Sequence, residues 1–242
     1  MTRTTKTIGI LGGMSWESSV EYERLMIEEV RRRLGPLHSP DMLIRSYDFA
    51  EIEPLQEAGD WDAAGRRLAR DAGRLEQAGA DLIVLATNTM HRVAGAIEGA
   101  ISVPLLHLAD TTGEAVRAAG VTRVGLLGTR YTMEQDFYRA RLEERFDLDV
   151  LVPDEPDRTT VHDIIYEELV RGIIRDDSRR AYRAVIDELI GRGAEGIIAG
   201  CTEIELLVGP NEVDVPYFPT TRLHAEAAVD AALAPAEVIT RG

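Results

Sequence analysis

Cys201 is the one cysteine in the chain, and it stands in the stretch Ala199-Gly200-Cys201-Thr202-Glu203-Ile204. A thiol suits proton transfer at carbon. Its unperturbed pKa is about 8.5 and falls near cations or at a helix N-terminus. Glu203–Val208 reads as a short helical turn, so its dipole is expected to favour the thiolate. A second stretch, Leu85-Ala86-Thr87-Asn88-Thr89-Met90-His91, lies 114 residues earlier and aligns Thr87 with Cys201. Both residues directly follow apolar runs that read as parallel strands, where side chains face a ligand crevice. Two such groups on opposite sides of one site fit racemisation: one removes a proton from a carbon and the other delivers one to the opposite face. A lone cytosolic cysteine is more often an inert buried hydrophobe. Its place at a duplicated strand end singles this one out.

The duplication shows elsewhere. Ile8-Gly9-Ile10-Leu11-Gly12 matches Val124-Gly125-Leu126-Leu127-Gly128 at an offset of 116, Gly79-Ala80-Asp81 matches Gly193-Ala194-Glu195 at 114, and Val103-Pro104 matches Val215-Pro216 at 112. Each match is weak alone, but their common order and slow drift point to an internal repeat. Around these pieces, β-type runs alternate with helical stretches. Strands are expected at Lys6–Leu11, Met42–Tyr47, Asp81–Ala86 and Val103–Leu106. Helices are expected at Ser18–Leu34, opened by a Ser18-x-x-Glu21 capping box, and at Asp62–Gln77, Arg92–Glu98 and Ala225–Leu233. The alternation predicts an α/β fold of two similar lobes with parallel sheets, related by a pseudo-two-fold axis, with the site between them. The first lobe is expected over 1–112 plus 211–242 and the second over 113–210.

Two further loops at strand ends belong to the constellation. Gly12-Gly13-Met14-Ser15-Trp16-Glu17 departs from the dinucleotide fingerprint and offers Met14, Ser15 and backbone amides to an anion. Its counterpart is Gly128-Thr129-Arg130-Tyr131-Thr132, where Thr129 and Thr132 supply hydroxyls. With Asn88, Thr89, Thr202 and Glu203, these residues form the candidate substrate-binding set. His91 and His224 read as capping or packing histidines, and Arg31-Arg32-Arg33 as a solvated helix end. No spaced His/Asp/Glu cluster points to a metal.

The composition narrows the chemistry. Of 242 residues, 27 are Lys or Arg and 42 Asp or Glu, a formal net charge of −15. Such a charge disfavours nucleic acid or an anionic membrane as a partner, and no apolar run approaches the roughly 20 residues that span a bilayer. One cysteine excludes an intrachain disulfide and any multi-thiolate metal site. The N-terminus carries no signal-peptide pattern, so the expected setting is cytoplasmic. Lys6 is the only lysine and precedes the first strand, at the wrong end of a sheet for a pyridoxal-phosphate Schiff base. Pyridoxal phosphate is therefore not expected as a cofactor.

Gly12-Gly13-Met14-Ser15-Trp16-Glu17-Ser18, Thr87-Asn88-Thr89-Met90-His91 and Gly200-Cys201-Thr202-Glu203-Ile204 resemble three signatures of the aspartate/glutamate racemase family, over essentially the whole chain. The resemblance implies two flavodoxin-like lobes, an interlobe site, no cofactor, a small amino dicarboxylate as substrate and, frequently, a homodimer. Most relatives carry cysteine at both strand ends. Here Thr87 replaces the first, as in a bacterial branch with preference for L-aspartate and L-glutamate. Carried over residue by residue, the resemblance assigns Cys201 the α-proton of the L-enantiomer and the Thr87 side the reprotonation. Conversion of the D-enantiomer is then expected to be slow or absent, with the equilibrium constant unchanged. Some aspartate racemases have a lysine near Thr160. Its absence leaves Arg158 as a substitute anchor for the side-chain carboxylate.

Two other readings fit the same residues. A decarboxylase of substituted malonates needs one thiol and one protonation, but also an apolar pocket that the sequence does not display. A dicarboxylate-binding homologue with weakened catalysis would also tolerate the missing thiol.

Overall fold

The computed structural model describes residues 5–235. Its first half runs β1 (Thr7–Gly12), α1 (Trp16–Leu34), β2 (Asp41–Ser46), α2 (Glu53–Glu57), α3 (Trp61–Gln77), β3 (Leu82–Leu85), α4 (Ala94–Glu98), β4 (Leu105–Leu106) and α5 (Leu108–Ala118). The second half runs β5 (Arg123–Gly128), α6 (Arg130–Glu134), α7 (Asp136–Phe146), β6 (Asp149–Leu151), α8 (Asp157–Asp163), α9 (Asp176–Gly191), β7 (Gly196–Gly200), α10 (Ile204–Leu207), β8 (Tyr217–Pro219) and α11 (Thr220–Leu233). The strands form two four-stranded sheets, ordered β2-β1-β3-β4 and β6-β5-β7-β8. Every pairing is parallel. Both orders begin as flavodoxin-like sheets do.

The repeat extends to packing. A Cβ on Gly9 would lie 2.7 Å from Ile83 Cδ1 and 3.3 Å from Leu75 Cβ; on Gly125 it would lie 2.8 Å from Ile197 Cδ1 and 3.3 Å from Leu189 Cβ. Each central strand thus uses a glycine to let a long helix, α3 or α9, settle on its sheet. The strand starts are also tied alike. Asp81 accepts from the Thr7 amide at 2.7 Å, and Glu195 accepts from the Thr122 and Arg123 amides at 3.0 and 3.2 Å.

The lobes exchange their last helices. Leu108, Ala109 and Val116 of α5 pack with Val124, Leu126 and Ile198 of the second sheet. Ala225, Ala228 and Val229 of α11 pack with Ile8, Ile10 and Val84 of the first. Two fully buried tyrosines mark the exchange: Tyr22 of α1 bonds His224 of α11 at 2.8 Å, and Tyr138 of α7 bonds Thr112 of α5 at 3.4 Å.

These contacts correct the expected lobe boundaries. β8 pairs with β7, so the segment 211–219 leads into the second sheet, not the first. Within 108–112, α5 already covers the second sheet, and only the chain from Thr220 returns. Helix starts also differ. Ser15, not Ser18, is the N-cap of α1, its Oγ accepting from the Ser18 amide at 3.4 Å. The Ser18 hydroxyl instead reaches the Ala86 carbonyl at 3.3 Å and Thr202 Oγ1 at 2.8 Å. A 3-10 turn over Thr89–Val93 precedes α4, so the stretch 92–98 is not one helix. Among the described residues, no helix is long and apolar enough to cross a membrane.

Candidate active site

A cavity of about 40 Å³ opens between the lobes at the carboxyl ends of the central strands. It is lined by Met14 and Ser15 after β1, Thr87, Asn88 and Thr89 after β3, Thr129 after β5, and Cys201, Thr202 and Glu203 after β7. Gly13 sets the first loop. Its φ is +84°, and a Cβ there would lie 2.3 Å from the Tyr47 carbonyl oxygen, so only glycine fits.

The second-lobe wall carries the thiol. Cys201 Sγ donates to Glu203 Oε2 at 2.9 Å, and the Ser15 hydroxyl donates to Glu203 Oε1 at 2.5 Å across the cleft. Burial and then the Glu203 carboxylate push the thiol well above its usual range. The expected helix-dipole lowering is therefore corrected. α10 is a single turn of four residues, and the nearest group to the sulfur is an anion. The sulfur keeps its proton and donates it to that carboxylate.

The first-lobe wall is its neutral counterpart. At the same offset, Thr89 takes the place of Glu203 and Thr129 that of Ser15, and their hydroxyls meet across the cleft at 3.0 Å. Behind Thr87, His91 Nδ1–H donates to its carbonyl at 2.7 Å while Nε2 accepts from the Leu108 amide at 3.1 Å. Those two bonds select the neutral tautomer, and burial, then His107, hold its pKa well below the usual range. His224 likewise has both nitrogens engaged, with the Leu106 carbonyl and Tyr22. Both histidines stay in the scaffold.

The residues left outside are informative. Thr132 does not line the cavity. It is fully buried, with its hydroxyl 3.3 Å from Thr129 and its side chain packed beside Gly128 and Gly200. Arg158 is paired with Glu134 at 2.9 Å and Glu155 at 3.2 Å and does not line the cavity, which corrects its proposed role as a carboxylate anchor. Lys6 bonds the Ala232 carbonyl through its amide, at the opposite end of the sheet.

Beside Gly200, the strand-end glycine before the thiol, sequence reasoning missed six lining residues: Ser18, Phe49, Gln56, Ile165, Tyr166 and Val170. Ser18 was hidden by its reading as a cap. The other five follow the outer strands β2 and β6, equivalent places in the two lobes, which the repeat could have marked. Ile165 and Tyr166 sit in a π-helical turn, Ile164–Glu168, a form that recurs at functional sites. They also place apolar side chains beside the site, where the sequence displays no apolar pocket. Phe49, Ile165 and Val170 provide them, although the volume stays small.

Comparison with known proteins fits this geometry. The sequence profile of Asp/Glu/Hydantoin racemase matches residues 11–228. The chain belongs to this family. A crystal structure of a candidate Asp/Glu racemase from Yersinia pestis is 52% identical, with a TM-score of 0.89 over 95% of this chain and 100% of that one. An aspartate racemase homologue from Pyrococcus horikoshii is 34% identical, with a TM-score of 0.82 over 93% of this chain and 98% of that one. The broad specificity amino-acid racemase RacX of Bacillus subtilis is 25% identical, over 94% of this chain and 98% of its own length. The protein is thus an isomerase of the racemase class with the family's two-lobed α/β fold.

Proposed function

We propose that this racemase inverts Cα of a small amino acid without a cofactor, aspartate and glutamate being the substrates its family names. In this reading Cys201 takes the α-proton of the L-enantiomer and the Thr87 side returns one to the opposite face. The observation that carries it is the hydrogen bond from the Cys201 thiol to Glu203, on a wall that faces Thr87 across one cavity. The resemblance to a family branch with threonine and cysteine at the two strand ends supports this reading.

The charge of the substrate starts the reaction. Asn88 donates through Nδ2 to Thr220 at 3.1 Å, while its buried Oδ1 has no partner. An α-ammonium group satisfies that acceptor. A cation about 4 Å from the sulfur, at an effective dielectric near 20, stabilises the thiolate by about 4 kcal/mol, or about three pKa units. Glu203 receives the thiol proton and passes it to solvent, and the thiolate takes the proton from Cα. Ser and Thr hydroxyls and loop amides hold the α-carboxylate as charge builds on it. The carbanion then takes a proton from Thr87 or from water beside it, and solvent restores that proton.

A hydroxyl can protonate a carbanion but cannot readily deprotonate Cα, so the two directions differ. Their equilibrium constant is one, which ties the two values of kcat/KM together. The asymmetry is confined to kcat and KM taken separately and to exchange without inversion. Cys201 can wash solvent deuterium into unreacted L-substrate; Thr87 cannot do the same for the D-enantiomer.

The test is an α-proton exchange assay in deuterium oxide over both enantiomers of aspartate and glutamate. We expect exchange and inversion, with wash-in to unreacted substrate mainly on the L side. Binding without any exchange would instead support a catalytically weakened homologue. Trp16 and Val20 lie exposed one turn apart on α1. A homodimer covering them is the assembly we propose, and sedimentation of a Trp16→Glu variant tests it through loss of the dimer.

A further inference from the structure

The cavity has two ends with different electrostatics. Its reacting end is built by loops after the central strands, while its far wall follows the outer strands β2 and β6 and carries Phe49, Gln56, Ile165, Tyr166 and Val170. Among the described residues, no Lys, Arg or His lines either end. The nearby guanidinium groups have other partners: Arg67 pairs with Glu51, Arg158 with Glu134 and Glu155, and Arg175 with Glu168. Arg130 lies over the Tyr131 ring. The one charged lining residue is Glu203, an anion already bonded to Cys201 and Ser15. A side-chain carboxylate placed here would be buried without a counter-charge, in the field of another carboxylate, an arrangement that is strongly penalised.

The far wall does carry neutral hydrogen-bonding groups. Tyr166 donates from its hydroxyl to Gln56 Oε1 across the cleft at 3.2 Å. Burial raises the phenol's pKa, so it stays a donor. Gln56 is 3% exposed, and among the described residues its Nε2 reaches only the Met90 thioether, at 3.0 Å. A thioether is a weak acceptor, and an amide NH2 has two hydrogens to place. The wall therefore keeps spare donor capacity from an uncharged group, against an apolar surround.

We infer that this wall selects uncharged polar side chains, and that Gln56 and Tyr166 are the specificity-determining pair. An amide or hydroxyl terminus accepts from Gln56 Nε2 and brings no charge near Glu203. The inference rests on the racemase reading above and names the substrate class that reading leaves open.

Two isosteric pairs test it: L-aspartate against L-asparagine, and L-glutamate against L-glutamine, each followed by α-proton exchange in deuterium oxide. Shape is constant within a pair, so the ratio of kcat/KM reports charge. For the better-fitting pair we expect the amide to exceed its acid about tenfold or more; any ratio above one supports the inference, and a ratio of one or less overturns it. Exchange with the acids alone overturns this inference and leaves the racemase standing. No exchange with any of the four overturns both. Gln56→Arg, checked for folding by circular dichroism, supplies the missing cation and should reverse the ratio through KM. A folded variant with an unchanged ratio would remove Gln56 from the specificity pair.

Discussion

The two walls of the cleft descend from one pattern and have diverged where a proton must move. Cys201 and Glu203 on one side, met by Ser15 from across the cleft, correspond to Thr87 and Thr89 on the other, met by Thr129. The hydrogen bond across the cleft persists in both, at 2.5 Å for Ser15 to Glu203 and 3.0 Å for Thr89 to Thr129. What changed is acidity. One wall holds a thiol with a carboxylate partner, while the other holds two threonine hydroxyls in their place. A duplicated scaffold therefore keeps geometry cheaply and lets protonation chemistry become one-sided.

The largest break in the comparison is removal of the thiol. Cys201→Ala should lower α-proton exchange by 10³-fold or more, about 4 kcal/mol of transition-state stabilisation. Exchange in the variant within tenfold of the parent would mean that Cys201 is not the base. Glu203→Gln should follow with a loss of about 10²-fold in kcat, within the usual range for one acid–base partner. The thiol would then lack its proton acceptor. A loss confined to KM would make Glu203 a binding group only.

Much of this pairing is legible in sequence because it is local. Gly9 and Gly125, Asp81 and Glu195, and Thr87 and Cys201 recur at offsets within two residues of each other, since each serves its own strand or strand end. The illegible parts depend on what comes from elsewhere in the chain. Gln56 and Tyr166 are 110 residues apart and become neighbours only when the lobes close. Thr132 looks like a binding hydroxyl but is turned against Gly128 and Gly200 by the tight approach of β5 and β7. The thiol's raised pKa was hidden because the sequence displays the helical turn but not the direction of the Glu203 carboxylate. Half of the helix exchange was legible, since the C-terminal helix was expected to return to the first lobe and does; the crossing of α5, which follows its own lobe in sequence and covers the other sheet, was not.

The walls should also differ in their response to acid. Behind Thr87 stand three buried histidines: His91 with its pKa held well below the usual range, and His107 and His224, each lowered to about 3, burial being the main cause in all three. An unfolded histidine titrates near 6.5. Their contribution is therefore complete above that pH and is lost as pH falls toward 3, each by about 1 kcal/mol between pH 7 and 5.5. On the thiol wall, burial raises Glu205 to about 7. Its folded pKa lies above the unfolded value, so it works in the opposite sense and stabilises by about 1–2 kcal/mol over the same interval. The net expectation is a loss of about 2 kcal/mol from pH 7 to 5.5 in urea unfolding. Glu205→Gln should steepen the loss and His224→Gln should shallow it. A flat profile in the parent would show that the histidines are not held neutral.

The smallest effect sharpens the comparison most, because it rebuilds the lost symmetry. Thr87→Cys places a thiol where the second wall already has one. The substitution is nearly isosteric, and the His91 bond to the Thr87 carbonyl does not involve the side chain. Kcat for the D-enantiomer should rise about tenfold, or about 1.4 kcal/mol, and deuterium should begin to enter unreacted D-substrate. The equilibrium constant requires KM for the D-enantiomer to rise with kcat unless the L direction accelerates as well. The gain should stop short of full symmetry, because the new thiol would have Thr89 nearby and not a carboxylate. Adding Thr89→Glu to Thr87→Cys should close the remaining gap. If D-side exchange stays absent in both variants, the walls are not two faces of one proton transfer, and the likeness of their loops is only an inheritance of fold.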